Sequence, residues 1–317
     1  MSASFTSGWS TELSAFLAFK RALGYPYKRA ELTLRSLDRF LVDQRQGHGH
    51  LHQAMLAWLE SRPGRKPVSV ACELAVVRQF YTYLQRSGCR GLREPAWPQL
   101  PATSKYTPHS FSIDDVRRLL HLTGKLGGYP FRKVTYRILI LVLYCTGLRF
   151  GEALRLRLQD LDLAAGTLFI LPSKGRSRWV PYHGSLGREL IRYLAARRAF
   201  APAGSGDRLF VGRDRTRLTT GTASHSVRRL LQLAGLKPTT GRVGPRPYDL
   251  RHAFAVHRLT RWYRAGVDLH ARLPWLSAYM GHDDLLGTEI YLTATPELLA
   301  LAGGRLRRRY LTAGKSR

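Results

Sequence analysis

"PYDLRHAFAVHR", residues 247–258, sets a tyrosine, two arginines and two histidines along the first turns of a helix in a very basic chain. Leu250, Phe254 and Val256 supply its apolar positions, so Tyr248 and Arg251, one turn apart, are expected to face the same way and point into one site. A guanidinium beside a phenol suits an anion, and the rest of the chain says which kind. Lys and Arg number 51 against 21 Asp and Glu, and a formal charge of +30 selects a polyanionic partner. A hydrophobic content of 44% excludes a disordered polycation. The longest apolar run, "ILILVLYC" at 138–145, is far short of the ~20 residues a membrane helix needs, so nucleic acid outranks a membrane surface. The opening residues "MSASFTSGWS" lack a basic start followed by an apolar core, so no secretory signal is read. Cys72, Cys89 and Cys145 are widely separated and odd in number, which suits a reducing cytoplasm.

The length allows two domains, each with its own core. Helical periodicity fills the first hundred residues or so: Leu13, Phe16, Leu17 and Leu23 share one face, Leu34, Leu37 and Leu41 another, a short helix follows at 50–60, and Leu74, Val77, Tyr81 and Leu84 mark a further helix that Gly88 ends. "WPQLPATSKYTP" (97–108) holds three prolines and no apolar period, which reads as a connector. The boundary is placed near 105, giving 1–104 and 105–317. In "FSIDDVRRLL" (111–120), Ser112 is a helix N-cap, Asp115 completes a capping box, and Phe111 faces Val116 as a staple. Beyond it the pattern is mainly α. The exception is a hairpin, Thr167–Leu171 and Arg178–Tyr182 around "PSKGRS", with Lys174 at its tip. Helical patterning resumes from Ser185 to Tyr193 and from Ser224 to Ala234.

Further residues join the opening cluster as candidates. In "TGLRFGEALRLRLQDLDL" (146–163) the apolar helix stops at Gly147, and Glu152, three residues after Arg149, can orient its guanidinium for a bidentate phosphate contact. Lys174 offers a mobile amine anchored by two strands. "MGHDDLLGTEIYL" (280–292) adds a Gly-His step at His282 and Tyr291 nine residues later. Taken alone, an R-x-x-E pair reads as a surface ion pair, a turn lysine as solvated, and a Gly-His as structural.

Their order carries more than any one of them. Arg149, Lys174, Tyr248 with Arg251, His282 and Tyr291, in this sequence, resemble the tyrosine recombinase or phage integrase family. "TGLRFGEALRLRLQDLDL" is similar to its first arginine box, and "YDLRHAFA" with "MGHDDLLGTEIYL" to its second box and tyrosine segment. The likeness covers the second half by motif and the first half by helical pattern only. It implies a helical, SAM-like core-binding domain and a mixed α/β catalytic domain with a small β-sheet, forming a clamp on DNA. Tyr291 would attack a DNA phosphodiester to give a 3′-phosphotyrosyl bond and a 5′ hydroxyl. Arg149, Arg251 and His282 would stabilise the charge that grows on phosphorus, and Lys174 would protonate the leaving oxygen. Glu152 would support Arg149. No cofactor or metal is implied. The partners implied are double-stranded recombination sites, a homotetramer on synapsed DNA, and accessory recombinases; "YLTATPELL" looks more like transposon-borne than Xer-like members.

Two departures stand out. At position 248 members usually carry histidine, sometimes lysine, whereas Tyr248 is a poorer base at neutral pH, so water or His282 is expected to take the proton while Tyr248 bonds the phosphate or positions the nucleophile. The interval between Arg251 and His282, with "RLTRWYRAGVDLHARLPW" (258–275), is long, and its extra turn of helix is expected to be a loop adjustment. "YLTA" occurs at both Tyr291 and Tyr310, and spacing from His282 favours Tyr291. His48, His50 and His52 alternate in "GHGHLH" without a cysteine or carboxylate partner nearby, which argues against zinc. His252 and His257 read as supporting or core contacts, and Cys145 as packing. Two other functions share these features: a catalytically impaired accessory DNA-binding homologue, and a type IB topoisomerase-like relaxing enzyme.

Overall fold

The structure is a computed structural model that describes residues 4–43, 50–89, 108–171, 177–202, 206–241 and 243–282, with shorter pieces at 92, 96–99, 286–289, 291, 300, 303–304 and 307. Its contacts divide the chain into two units, Met1–Tyr106 and Thr107–Arg317.

The first unit contains α1 (Ser10–Ala22), α2 (Lys28–Asp43), α3 (Leu51–Glu60) and α4 (Pro67–Arg86). Pro67 opens α4, where a missing N–H costs no intrahelical bond. The other three helices pack on α4, and Phe16, Leu34, Leu37, Trp58 and Phe80 meet in the core. Each such side chain stabilises the unit by roughly 1.5–3 kcal/mol through burial. The buried Asp38 carboxylate accepts bonds from the backbone N–H groups of Thr6 (2.8 Å) and Ser7 (3.0 Å), which fixes the segment leading into α1. Leu23 departs from the expected apolar face: α1 stops at Ala22, and Leu23, in the turn beyond it, is exposed. His50 lies at the start of α3 with Nδ1 3.0 Å from Gln53, and His52 packs edge-on against Tyr81 and Trp97. His48 lies outside the described residues.

The second unit contains α5 (Ile113–Leu122), α6 (Phe131–Thr146), α7 (Phe150–Ala153), α8 (Gly184–Phe200), α9 (Thr220–Leu233), α10 (Asp249–Arg264), α11 (Leu269–Met280) and α12 (Leu286–Glu289). The capping box forms as read: Ser112 Oγ accepts from Asp115 N at 3.0 Å and the Asp115 carboxylate accepts from Ser112 N at 2.9 Å. Phe111 and Val116 are both buried in the same core. The apolar run at 138–145 is the second half of α6, which packs against α5, α8 and α10. It is a core helix, and among the described residues no helix is long and apolar enough to cross a membrane.

The hairpin strands are β2 (Thr167–Ile170) and β3 (Arg178–Pro181), and a third strand, β1 (Leu161–Asp162), completes an antiparallel sheet in the order β1-β2-β3. Leu168 pairs with Val180 and, with Ile170, turns to the core, while Phe169 and Trp179 pair on the opposite face at 4.8 Å. β1 has only two residues, too few for an alternating pattern to show. The segment 258–275 is mostly helical: α10 runs to Arg264 and α11 starts at Leu269, with Pro274 inside it.

Candidate active site

Two helix ends build the site. α6 and α11 both stop at a glycine in the left-handed region, Gly147 at φ 62° and Gly281 at φ 68°. Only glycine fits either position without strain. A side chain at 147 would run into the Phe254 ring, and one at 281 into the Arg178 guanidinium. The last carbonyls of each helix, which have no intrahelical donor, are thereby left for side chains to satisfy.

Arginines satisfy them. Arg149 follows Gly147 as the N-cap of α7 and donates from Nη2 to Gly281 O at 2.7 Å. Arg251, on the first turn of α10, donates from Nη1 to Gly147 O at 2.6 Å and from Nη2 to Met280 O at 2.9 Å. Arg178, at the start of β3, donates from Nε to Tyr279 O at 2.9 Å. Three successive carbonyls at the end of α11 therefore receive guanidiniums from three distant segments, where the negative end of the helix dipole favours cations.

Glu152 links two of these arginines. It is the third residue of α7, and one oxygen accepts from the Arg149 backbone N–H at 3.0 Å while the other accepts from Arg149 Nη1 at 2.9 Å. Arg178 Nη2 approaches the same carboxylate at 2.9 Å, and the Glu152 side chain is fully out of water. Burial alone would raise its pKa, but the bonds from Arg178 and Arg149 outweigh it and hold the carboxyl at about 2 instead of 4.5. Because the folded value lies below the unfolded one, the resulting stabilisation, about 3 kcal/mol, is full above the unfolded pKa and is lost as pH falls toward the folded one. From about pH 5 to about pH 2 the parent chain is therefore expected to lose about 3 kcal/mol more unfolding free energy than Glu152→Gln, as read by urea titration. Parallel losses in the two proteins would remove this account of the carboxylate.

His282 follows Gly281 directly. Its Nε2 lies 2.7 Å from Arg251 Nη2, and its Nδ1 lies 2.7 Å from Thr288 Oγ1. A guanidinium can only donate, so Nε2 accepts and Nδ1 carries the ring proton toward Thr288. In this arrangement the Nε2 lone pair is taken up by Arg251 and the ring proton by Thr288.

Tyr291 completes the group. It is buried at 4% exposure, its ring stacked on His282 (6.1 Å between centroids) and tilted against His252 (4.9 Å). Burial pushes the phenol above its ordinary value, while Arg251 beside it, and more weakly Arg149, pull it down. Burial likewise lowers the Arg251 guanidinium, with Tyr291 acting in the opposite direction. Tyr248 is the N-cap of α10 and half exposed at the margin of the site, although Arg251 one turn on is almost wholly buried; the two do not share one environment. Its hydroxyl is still near enough to enter the electrostatics of both Arg251 and Tyr291.

Arg149, Arg251, His282 and Tyr291 thus come together, with Tyr248 at the edge. Lys174 and Tyr310 lie outside the described residues. His252 is buried with its ring on Tyr291, and burial lowers its pKa; His257 turns away to Tyr144, with Nδ1 2.8 Å from the hydroxyl. Arg178 and Thr288 are the site residues that sequence reading passed over. Among the described residues no group of three or more His, Cys, Asp or Glu could hold a metal ion.

A family model described as the phage integrase family matches residues 110–297. An integrase/recombinase, y4rB, of Sinorhizobium fredii is 34% identical over 302 residues, covering 93% of this chain and 96% of that protein. The tyrosine recombinase XerC of Rhodospirillum centenum is 32% identical over 78% of this chain and 68% of its own. Among solved structures, the Tn1549 transposon integrase in complex with transposon right end DNA superposes with a TM-score of 0.65 at 17% identity, covering 94% of this chain and 98% of that one. XerH site-specific recombinase bound to its difH substrate gives 0.63 at 18% identity over 86% and 78% of the two chains. These two likenesses are of fold.

Proposed function

From the premise that this chain belongs to the phage integrase family and is a tyrosine-type site-specific recombinase, we propose that it cuts and rejoins DNA through a covalent 3′-phosphotyrosyl intermediate on Tyr291, moving a mobile element. The observation that carries this reading is the gathering of Arg149, Arg251, His282 and Tyr291 around two glycine-capped helix ends.

The chemistry divides among them as follows. The Tyr291 oxygen attacks phosphorus, a new P–O bond forms, and the bond to the 5′ oxygen breaks. Arg149 and Arg251 meet the non-bridging oxygens, where negative charge grows in the transition state and fixed donors act most strongly. The phenol proton passes to water or, once Arg251 turns to the phosphate, to His282 Nε2. Lys174 gives a proton to the leaving 5′ oxygen. Reversal with a different 5′ hydroxyl rejoins the strands, and the phosphotyrosyl bond conserves the energy. Recombination cuts each strand of two duplexes, so the working assembly is a homotetramer on synapsed sites, with accessory recombinases as further partners. The first unit acts as the core-binding domain, and the enzyme works in the cytoplasm.

The test begins with a binding site that the protein itself selects from random-sequence DNA, built into a nicked duplex so that the released end diffuses away. A protein-DNA adduct on a denaturing gel supports the reading; its absence overturns it. An adduct formed equally on unrelated sequences would point to a relaxing enzyme.

Binding itself should be strongly salt-dependent. With a formal charge of +30 and many Lys and Arg on phosphates, affinity is expected to fall by roughly 10³ or more between about 50 and about 200 mM salt, as measured by fluorescence anisotropy on a labelled duplex. A flat response would exclude phosphate contacts as the main source of affinity.

A further inference from the structure

Of the three guanidiniums on the end of α11, two belong to the reaction proposed above. The third, Arg178, has no such assignment, and its surroundings differ. Its side chain is 11% exposed against 23% for Arg149, and every donor group on it points into protein: Nε to Tyr279 O, Nη1 and Nη2 to the Glu152 carboxylate at 3.3 and 2.9 Å. Arg251 is more buried still but keeps its Nε without a partner, whereas every side-chain nitrogen of Arg178 is already bonded to protein. Arg178 can, however, decide how two groups that do meet DNA are placed.

Charge shows how. Glu152 brings one negative charge fully out of water between two guanidiniums. With Arg178 present, the cluster keeps one net positive charge, and Arg149, the more exposed partner, carries it toward the site opening. Without Arg178 the buried carboxylate would be balanced by Arg149 alone. The Arg149–Glu152 pair would then sum to zero, and the guanidinium would be drawn back to satisfy a charge that has no water. Geometry adds a second effect. Arg178 is the first residue of β3, and its Nε bond to Tyr279 O ties that strand to the turn that ends in Gly281 and His282. Gly281 is packed so closely over the Arg178 guanidinium that a Cβ there would collide with it.

We propose that Arg178 is a positioning residue for strand cleavage: by neutralising Glu152 and bonding the end of α11, it leaves Arg149 charged toward the phosphate and holds β3 in register with His282. This rests on the recombinase reading above.

The experiment measures adduct formation in single turnover on the nicked, self-selected duplex, with DNA affinity and thermal unfolding recorded on the same preparations. Arg178→Met is expected to slow cleavage by on the order of 10²-fold, comparable to the loss of one transition-state donor, with DNA affinity unchanged. Adding Glu152→Gln removes the uncompensated charge, so Arg178→Met/Glu152→Gln is expected to regain about tenfold or more over the single variant. A purely structural role predicts the opposite, since the double variant loses two buried partners. Arg178→Lys keeps the charge but not the fork, and should fall between parent and Arg178→Met. If Arg178→Met does not fold, the double variant decides: it is expected to fold and to cleave at least as fast as Arg178→Lys, and an inactive double variant overturns the proposal. A parent protein that forms no adduct overturns both readings. A parent that cleaves, beside an Arg178→Met variant of equal rate or a double variant no faster than the single, overturns this one alone.

Discussion

Tyr291→Phe is expected to abolish the covalent protein-DNA adduct while leaving DNA binding and folding nearly unchanged. The substitution removes one oxygen and keeps the ring, so the packing on His252 and His282 survives. Unfolding free energy should therefore move by no more than about 1 kcal/mol. The loss of rate should be on the order of 10⁴-fold or more, the scale seen when a covalent nucleophile is deleted. Tyr310→Phe supplies the control, because it shares the "YLTA" context but not the spacing from His282; it should retain the adduct. Denaturing gels of the two variants beside the parent decide the matter. An adduct that survives Tyr291→Phe would move the nucleophile elsewhere and remove the basis of the proposed reaction.

Arg251→Met should have the next largest effect, and on two observables together. Arg251 is 1% exposed and donates to Gly147 O, Met280 O and His282 Nε2, so truncation leaves buried acceptors without donors. Each such orphan costs about 1–3 kcal/mol, and an overall destabilisation of about 2–5 kcal/mol is expected by urea unfolding. The rate should fall by about 10³-fold even for the folded fraction, because a charged donor to the transition state is lost and the His282 ring loses its partner. Arg251→Lys separates the contributions: the charge remains while the fork that spans two helix ends does not, so stability should still fall. A folded Arg251→Met that cleaves within tenfold of the parent would show that the phosphate is held by other groups.

The sequence made the mainly helical plan legible because each signal was local. Ser112 and Asp115 lie three residues apart and cap one helix, so spacing alone revealed them. Apolar periodicity located the first-unit helices, and failed at Leu23, where the helix had ended but the hydrophobic residue had not. Strand β1 was missed because two residues carry no alternation. Between Arg251 and His282, Pro274 is accommodated inside α11, and Gly266 sits between α10 and α11. In the site, Arg149, Arg251, His282 and Tyr291 were readable through a resemblance of motif and order, and the structure brings these four together. What order could not convey was burial. Tyr248 and Arg251 share a helical turn, yet one is half exposed and the other almost inaccessible. Arg178 was invisible for a related reason: in "RSRWVP" it looks like a strand residue with a solvated charge, and only tertiary packing sets it against Glu152, 26 residues away along the chain.

The final turn of α11 gathers bonds from Arg149, Arg178 and Arg251. Fraying of that short stretch would take one bond from each of the three arginines at once, leaving each held only at its other end, on Glu152 or Gly147. Competence for cleavage is thus a property of a small cooperative unit that opens and closes as a whole, in the manner of a local unfolding transition. Warming or mild denaturant should extinguish it in a single step, with amide exchange at the helix end tracking the loss.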